Sequence, residues 1–161
     1  MISDRQTESL WQYICRSVDR VLACLDGLGE DDLNWRPIDS ANSLFVLATH
    51  AIGNVEANML GVLCQEKINR QREDEFRARG STADTILQRW RELRHSVSLR
   101  LDRLPADALD RVYEHPRRGK VTGRDLLLTI ARHMAEHVGH AELTRDLLFT
   151  ARGRELPKRE F

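Results

Sequence analysis

Four histidines carry the chemistry this sequence offers. Three of them lie in one run, His133-Met134-Ala135-Glu136-His137-Val138-Gly139-His140. In a helix at about 100° per residue, His137 sits ~40° to one side of His133 and His140 about 20° to the other, so the three share a stripe. Leu126, Ile130, Ala141 and Thr144 fall on the same stripe, which predicts that it faces a core. Neutral imidazole nitrogen is a ligand for zinc, nickel, copper and iron, and a pair at i and i+4 converges readily on one ion. A third ligand must come from elsewhere. His50 is the best candidate, set beside the apolar Leu47 and Ala51 of another helical pattern. His95 is rotated about 160° from the seam residue Val97 and is expected to face solvent. His115 adjoins Pro116 in a loop, and neither of these two is expected to be a ligand.

The spacing is also that of the zinc-peptidase helix HExxH. Here Met134 stands where the catalytic glutamate would be, and Glu136 points about 100° away from His137, which disfavours peptidase chemistry. Two matters stay open on spacing alone. The same imidazoles fit core or interface positions satisfied by neighbouring polar groups. The pair used within the run is also undecided, because His137 and His140 are one turn apart.

Helices must position these residues, and the apolar spacing supplies them. Leu10, Ile14, Val18, Val21, Leu25 and Leu28 recur at three- and four-residue steps, a buried stripe that Gly27 and Gly29 can stop. Glu30 to Asn42 reads as a connecting loop pinned by Trp35, with an N-cap near Ser43. A second helix runs from Leu44 to about Cys64 and carries His50. Gln65 to Gly80 is dominated by charge and reads as a solvated connection, long enough at ~3.3 Å per residue to cross a bundle. Ser81 or Thr82, with Asp84 and Thr85, begins a third helix, with Ile86, Trp90, Leu93, Val97, Leu101 and Leu104 as its seam. Pro105 to Val121 is expected to be loop, with at most a brief extended piece at Val112 and Tyr113. Its Arg117, Arg118 and Lys120 are weak grounds for a phosphate site. Thr122 with Asp125 caps a fourth helix through about Phe149, and a polar tail, Arg152 to Phe161, follows. Four helices without a convincing alternating strand predict an all-α four-helix bundle, one domain over residues 1–161.

Composition narrows the function classes. In 161 residues, 25 Lys and Arg balance 25 Asp and Glu, so no global field draws a polyanion and nucleic acid is not the expected partner. Apolar stretches such as Leu126 to Ala131 fall far below the roughly 20 residues that span a bilayer, and the polar start at Asp4, Arg5 and Glu8 does not read as a signal peptide. A cytoplasmic protein without a membrane partner is the expectation. Cys15, Cys24 and Cys64 form no CxxC and suit a reducing compartment as buried or half-buried thiols, not nucleophiles.

Three stretches together resemble the DinB/YfiT-like superfamily of metalloenzymes: Asn34-Trp35-Arg36-Pro37 with Asn42-Ser43-Leu44, the second-helix His50, and His133-x-x-x-His137-Val138-Gly139-His140-Ala141-Glu142-Leu143. The resemblance covers nearly the whole chain. It implies an up-down-down-up bundle with a long crossover between the second and third helices. It also implies a divalent ion, zinc, nickel or iron, held by His50, His133 and His137, with His140 beside them. Members often carry a carboxylate soon after the first histidine; Glu56 falls about 120° off that face, and Asn54 is the better neighbour. The family's link to DNA damage is one of regulation and implies no DNA contact. Some members resemble transferases that use low-molecular-weight thiols such as bacillithiol or mycothiol. The expected function is therefore metal-assisted thiol transfer or hydrolysis on a small molecule, with His140, Asn54 or Arg145 near the ligands or substrate and no general base identified. The alternatives are a non-catalytic metal-binding stress-response or ligand-binding module, and a dimerising bundle whose histidines are satisfied in its core. Such bundles commonly pair through helix faces, so a homodimer belongs to the expectation.

Overall fold

The computed structural model describes residues 5–156; Asp4 and the end of the polar tail, 157–161, lie outside the described residues. Four long helical elements dominate: α1 (Arg5–Ala23), α3 (Leu44–Glu56, continued by a π-helical stretch, Ala57–Leu63), α5 (Asp84–Leu101) and α6 (Gly123–Ala151). Short helices α2 (Glu30–Leu33) and α4 (Arg72–Glu75) sit in the connections.

The apolar spacing of α1 buries Trp11, Ile14, Val18 and Val21, and the chain turns after Ala23 through Gly27, whose φ of 71° favours glycine. α3 starts where the sequence places it, with the Ser43 hydroxyl accepting from the Val46 N–H at 3.2 Å. Past Glu56 the ladder widens to i→i+5, seen where the Cys64 N–H donates to the Met59 carbonyl at 3.0 Å. Thr122 caps α6 by accepting from the Asp125 N–H at 3.1 Å, while its hydroxyl donates to the Asp125 carboxylate at 2.8 Å.

Side-chain bonds between helices fix their directions. Arg124 with Gln6, Arg20 with Glu142, and Arg145 with the Ala23 carbonyl run in the same order along both chains, so α1 and α6 are parallel. Trp11 with Ser98, and Asp19 with Trp90 and Arg94, run in opposite order, so α1 and α5 are antiparallel. Glu56 with Arg89 and Glu66 with Arg100 make α5 parallel to α3. The bundle is up-down-down-up, and the long crossover joins α3 to α5. Buried residues of all four long helices, among them Trp11, Met59, Trp90 and Leu127, form one core cluster.

Two expectations are corrected. Residues 105–121 are mainly turns, as expected, but the extended piece is longer than Val112 and Tyr113: β1 (Val112–His115) pairs antiparallel with β2 (Gly119–Thr122), with Tyr113 opposite Val121. The pairing is held at both ends, because Tyr113 is buried with its hydroxyl donating to the Ala108 carbonyl, and Gly119 at φ 69° closes the turn. The charged crossover is not uniformly solvated either. Its Glu75 is buried, and its far end is locked where the Asn34 amide donates to the Gly80 carbonyl at 2.8 Å and accepts from the Gly80 N–H at 3.1 Å. Trp35, beside Asn34, packs partly buried against the core as expected.

Gly80 lies against the buried ring of Phe45, and a Cβ there would overlap that ring. Gly80→Ala is therefore expected to cost about 1–3 kcal/mol, as overpacking does. Thermal melting should show Tm lowered by roughly 3–10 °C for a domain of this size.

Candidate metal centre

Three imidazoles meet between α3 and α6. His50 projects from the middle of α3, and His133 and His137 project one turn apart from α6. Ligand nitrogens of the three lie within 4.8 Å of one another. Ring centroids are 5.1 Å apart for His50 and His137, 5.7 Å for His50 and His133, and 4.3 Å for His133 and His137. His50 and His137 are 6% and 7% exposed, so their nitrogens compete little with water for whatever binds between them. His133 is half-buried at the edge.

His50 owes its orientation to a residue the sequence hid. Its Nδ1 stands 2.8 Å from Glu75 Oε2, and Arg70 donates to both Glu75 oxygens, Nε to Oε1 at 2.5 Å and a terminal nitrogen to Oε2 at 2.7 Å. A carboxylate so engaged accepts the proton of Nδ1 and leaves the Nε2 lone pair of His50 turned to the other rings. Burial pushes the Glu75 carboxyl up, but the bonds from Arg70 and His50 outweigh it and hold the group below the usual carboxylate range. The carboxylate reaches this position only because Gly53, nearly one turn along α3 from His50, has no side chain; a Cβ there would overlap Glu75 Oε1. The Phe76 ring lies 4.9 Å from the His50 ring, and the Arg72 guanidinium lies over the Phe76 ring, 4.7 Å from its centroid. A carboxylate among many charges of the crossover gave no signal in the sequence, since nothing marks Glu75 against Glu73 or Asp74.

The pair on α6 is held more loosely. His133 Nδ1 is 3.5 Å from Glu136 Oε2, and the Nε2 atoms of His133 and His137 stand 3.1 Å apart. His137 Nδ1 is buried without a hydrogen-bond partner. Burial first, then the neighbouring rings of His133, His50 and His140, drive the His137 pKa down to about 3. Burial likewise lowers His133, against the opposing bond from Glu136. His137 is thus neutral, the form that binds metals.

The other residues singled out from sequence divide. Asn54 shares the wall of a cleft of about 340 Å³ with His50 and His133, and its carbonyl and side-chain oxygens accept from Asn58 at 2.8 and 3.2 Å. His140 is exposed, its ring 6.0 Å from His137. The stripe read as facing the core ends at His133, so rotation by about 20° beyond it reaches solvent. Arg145 is away from the imidazoles: it donates to the carbonyls of Ala23 and Asp26 at 2.7 and 3.2 Å, satisfying the end of α1. Eight residues beyond His137 along a helix is ~12 Å, too far for a shared site. Glu56 is engaged by Arg89 at 2.7 Å. Met134 is fully buried in the core. His115, read as a loop residue apart from the site, ends β1 and lines the same cleft, with Nε2 3.1 Å from Asn58 Oδ1. Burial pushes the Cys15 thiol up to about 12 and the Cys64 thiol up to about 11, so neither is a thiolate nucleophile.

The donor set fits a divalent ion. Two nitrogens each ~2.1 Å from a tetrahedral ion stand ~3.4 Å apart, close to the His133–His137 spacing, and both flanking Nδ1 atoms of His50 and His133 face carboxylates. Either neutral tautomer of His137 leaves its Nδ1 unpaired, a penalty that coordination through Nε2 is able to offset. His50 and His133 line the cleft, and a set of three nitrogen donors leaves positions for a further molecule. Among the described residues, no helix is long and apolar enough to cross a membrane.

Comparison with known proteins agrees with this architecture. No curated protein matches the chain. A solved structure, the conserved protein of a locus from Enterococcus faecalis, superposes with a TM-score of 0.74 at 15% identity, covering 92% of this chain and 99% of its own, which establishes a shared fold. The profile of the mycothiol-S-transferase family matches residues 9–149, a span that includes both histidine-bearing helices and the crossover. On that match, and with the DinB/YfiT-like arrangement of its helices, the chain belongs to the mycothiol-S-transferase family.

Proposed function

We propose that this chain is a metal-dependent thiol transferase, in which His50, His133 and His137 hold one divalent ion and a low-molecular-weight thiol of the mycothiol or bacillithiol kind is the nucleophile. The observation that carries the reading is the convergence of three imidazoles from two helices beside a cleft, in a member of a thiol-transferase family. Zinc, nickel or iron suits these nitrogen donors, and such an ion, when bound, supplies a positive charge that favours the thiolate and so lowers the thiol pKa. Transfer forms one S–C bond on the electrophile. The thiol proton leaves with the displaced group or, in addition to a double bond, ends on the neighbouring carbon.

Each protein group then has a local task. Glu75 fixes His50 in the Nδ1–H tautomer, and Arg70 keeps Glu75 ionised to do so. Glu136 does the same for His133 at longer range. Burial keeps His137 neutral. Phe76 covers one face of His50 against water, and Asn54 offers its amide to a molecule in the cleft. With Cys15 and Cys64 held as neutral thiols and Cys24 buried with its thiol donating to the Arg20 carbonyl, the reacting thiol is one brought in from solution.

Elemental analysis of untagged protein is expected to find about one equivalent of divalent metal, with Tm falling after chelation; less than about a tenth of an equivalent and unchanged melting would overturn the reading. His137→Ala should lose metal and turnover of a small thiol with a model electrophile together. Turnover that survives this substitution rules out the imidazole cluster as the reacting centre.

Glu75→Gln is expected to weaken metal binding about 10- to 100-fold, the usual effect of removing a ligand's carboxylate partner. Gly53→Ala should act in the same direction by displacing Glu75, although residue 53 holds no donor. Competition with a chromophoric chelator reads both, and equal affinity in Glu75→Gln and the unaltered protein contradicts the role given to Glu75.

A further inference from the structure

The cleft beside the imidazoles has an unbalanced charge. Arg70, Arg72, Arg117 and Arg118 all line it together with His50 and His133. Arg70 is taken up by Glu75 and Arg72 lies 3.3 Å from Glu73. Arg117 and Arg118 have no carboxylate partner among the described residues, and both belong to the β1–β2 turn that overhangs the cleft.

That turn is held in place. His115 Nε2–H donates to Asn58 Oδ1, the amide being oriented by its own donation to Asn54, and His115 Nδ1 accepts the backbone N–H of Arg117 at 3.1 Å. Both bonds need the same neutral tautomer of His115. Burial, followed by the charges of Arg118 and Arg117, lowers the His115 pKa and keeps that tautomer in place. The turn is therefore fastened to the π-helical stretch, which holds the backbone of Arg117 and Arg118 at the rim of the cleft.

We propose that Arg117 and Arg118 form an anion site that grips a carboxylate or phosphate group of the small molecule occupying the cleft. A guanidinium matches either group with paired N–H donors, and a cleft of about 340 Å³ suits a ligand of small-metabolite size. The site selects for anionic thiols or electrophiles over neutral ones and orients the bound molecule with its charged end at the turn and its other end toward the imidazoles. Its part in turnover rests on the imidazole cluster being the reacting centre; anion binding by itself does not.

The test uses the full-length, metal-loaded protein, with succinate as the carboxylate probe and inorganic phosphate as the other, each titrated by calorimetry. At least one probe is expected to bind, more weakly as salt is raised, and with Kd increased roughly tenfold or more in Arg117→Gln/Arg118→Gln. Metal content, measured on the same samples, should be unchanged by the double substitution. His137→Ala should keep most of the anion affinity. Binding of neither probe overturns the proposal, as does a Kd changed less than about threefold by the double substitution. Affinity lost in His137→Ala but kept in the arginine variant assigns the anion to the imidazole cluster and also overturns it. A protein that takes up no added divalent metal yet binds the probe through Arg117 and Arg118 sinks the metal-centre reading and leaves this one standing. Arg118→Glu, a single exposed substitution, repeats the measurement should the double variant fail to fold.

Discussion

Placing imidazoles inside an apolar bundle is the constraint from which the rest follows. A neutral ring brings one donor and one acceptor into the core, and each left unpaired costs about 1–3 kcal/mol. At His50 the donor is met by Glu75. That solution buries a carboxylate, which must in turn be compensated, and Arg70 does so with both Glu75 oxygens while reaching toward solvent. The chain Arg70–Glu75–His50 therefore leads from the surface to the cluster, and the path of the α3–α5 crossover is drawn in against α3 by it. Gly53 is the corresponding gap on the helix.

Periodicity made the helices and the imidazole cluster legible. His133 and His137 fall on an inward stripe, and His50 is the sole histidine of the other apolar helix, so their meeting needed only the four-helix packing that the seams already implied. Other features depend on contacts that no local pattern encodes. Glu75 is one acid among several until the fold sets it over Gly53. The β1–β2 hairpin is four residues a side, too short for alternation to show, and is made by Tyr113 packing and the turn at Gly119. His140 stands beside His137 as expected but faces solvent, and Arg145 lies away from the imidazoles, because a helical wheel records angle but neither where the buried arc ends nor the rise along the axis.

Helix α6 divides its length between two tasks. Its first half carries His133 and His137 beside the cleft. Beyond the midpoint, Arg145 closes the end of parallel α1, where a cation is favoured by the helix dipole. Past its last turn, Arg152 and Arg154 clasp the buried Asp32 of α2 at 3.0 and 2.7 Å. Anchoring at one end leaves the other free to be chosen for chemistry, and the Glu142–Arg20 pair between them keeps the two helices in register.

The partner of His50 comes from a connecting segment and not from a bundle helix. Sequence drift in that segment can therefore retune the basicity of a core imidazole without repacking a single core side chain, by changing how firmly the carboxylate is gripped. A chain that kept the histidines but differed between α3 and α5 would keep the scaffold while changing the surroundings of that imidazole.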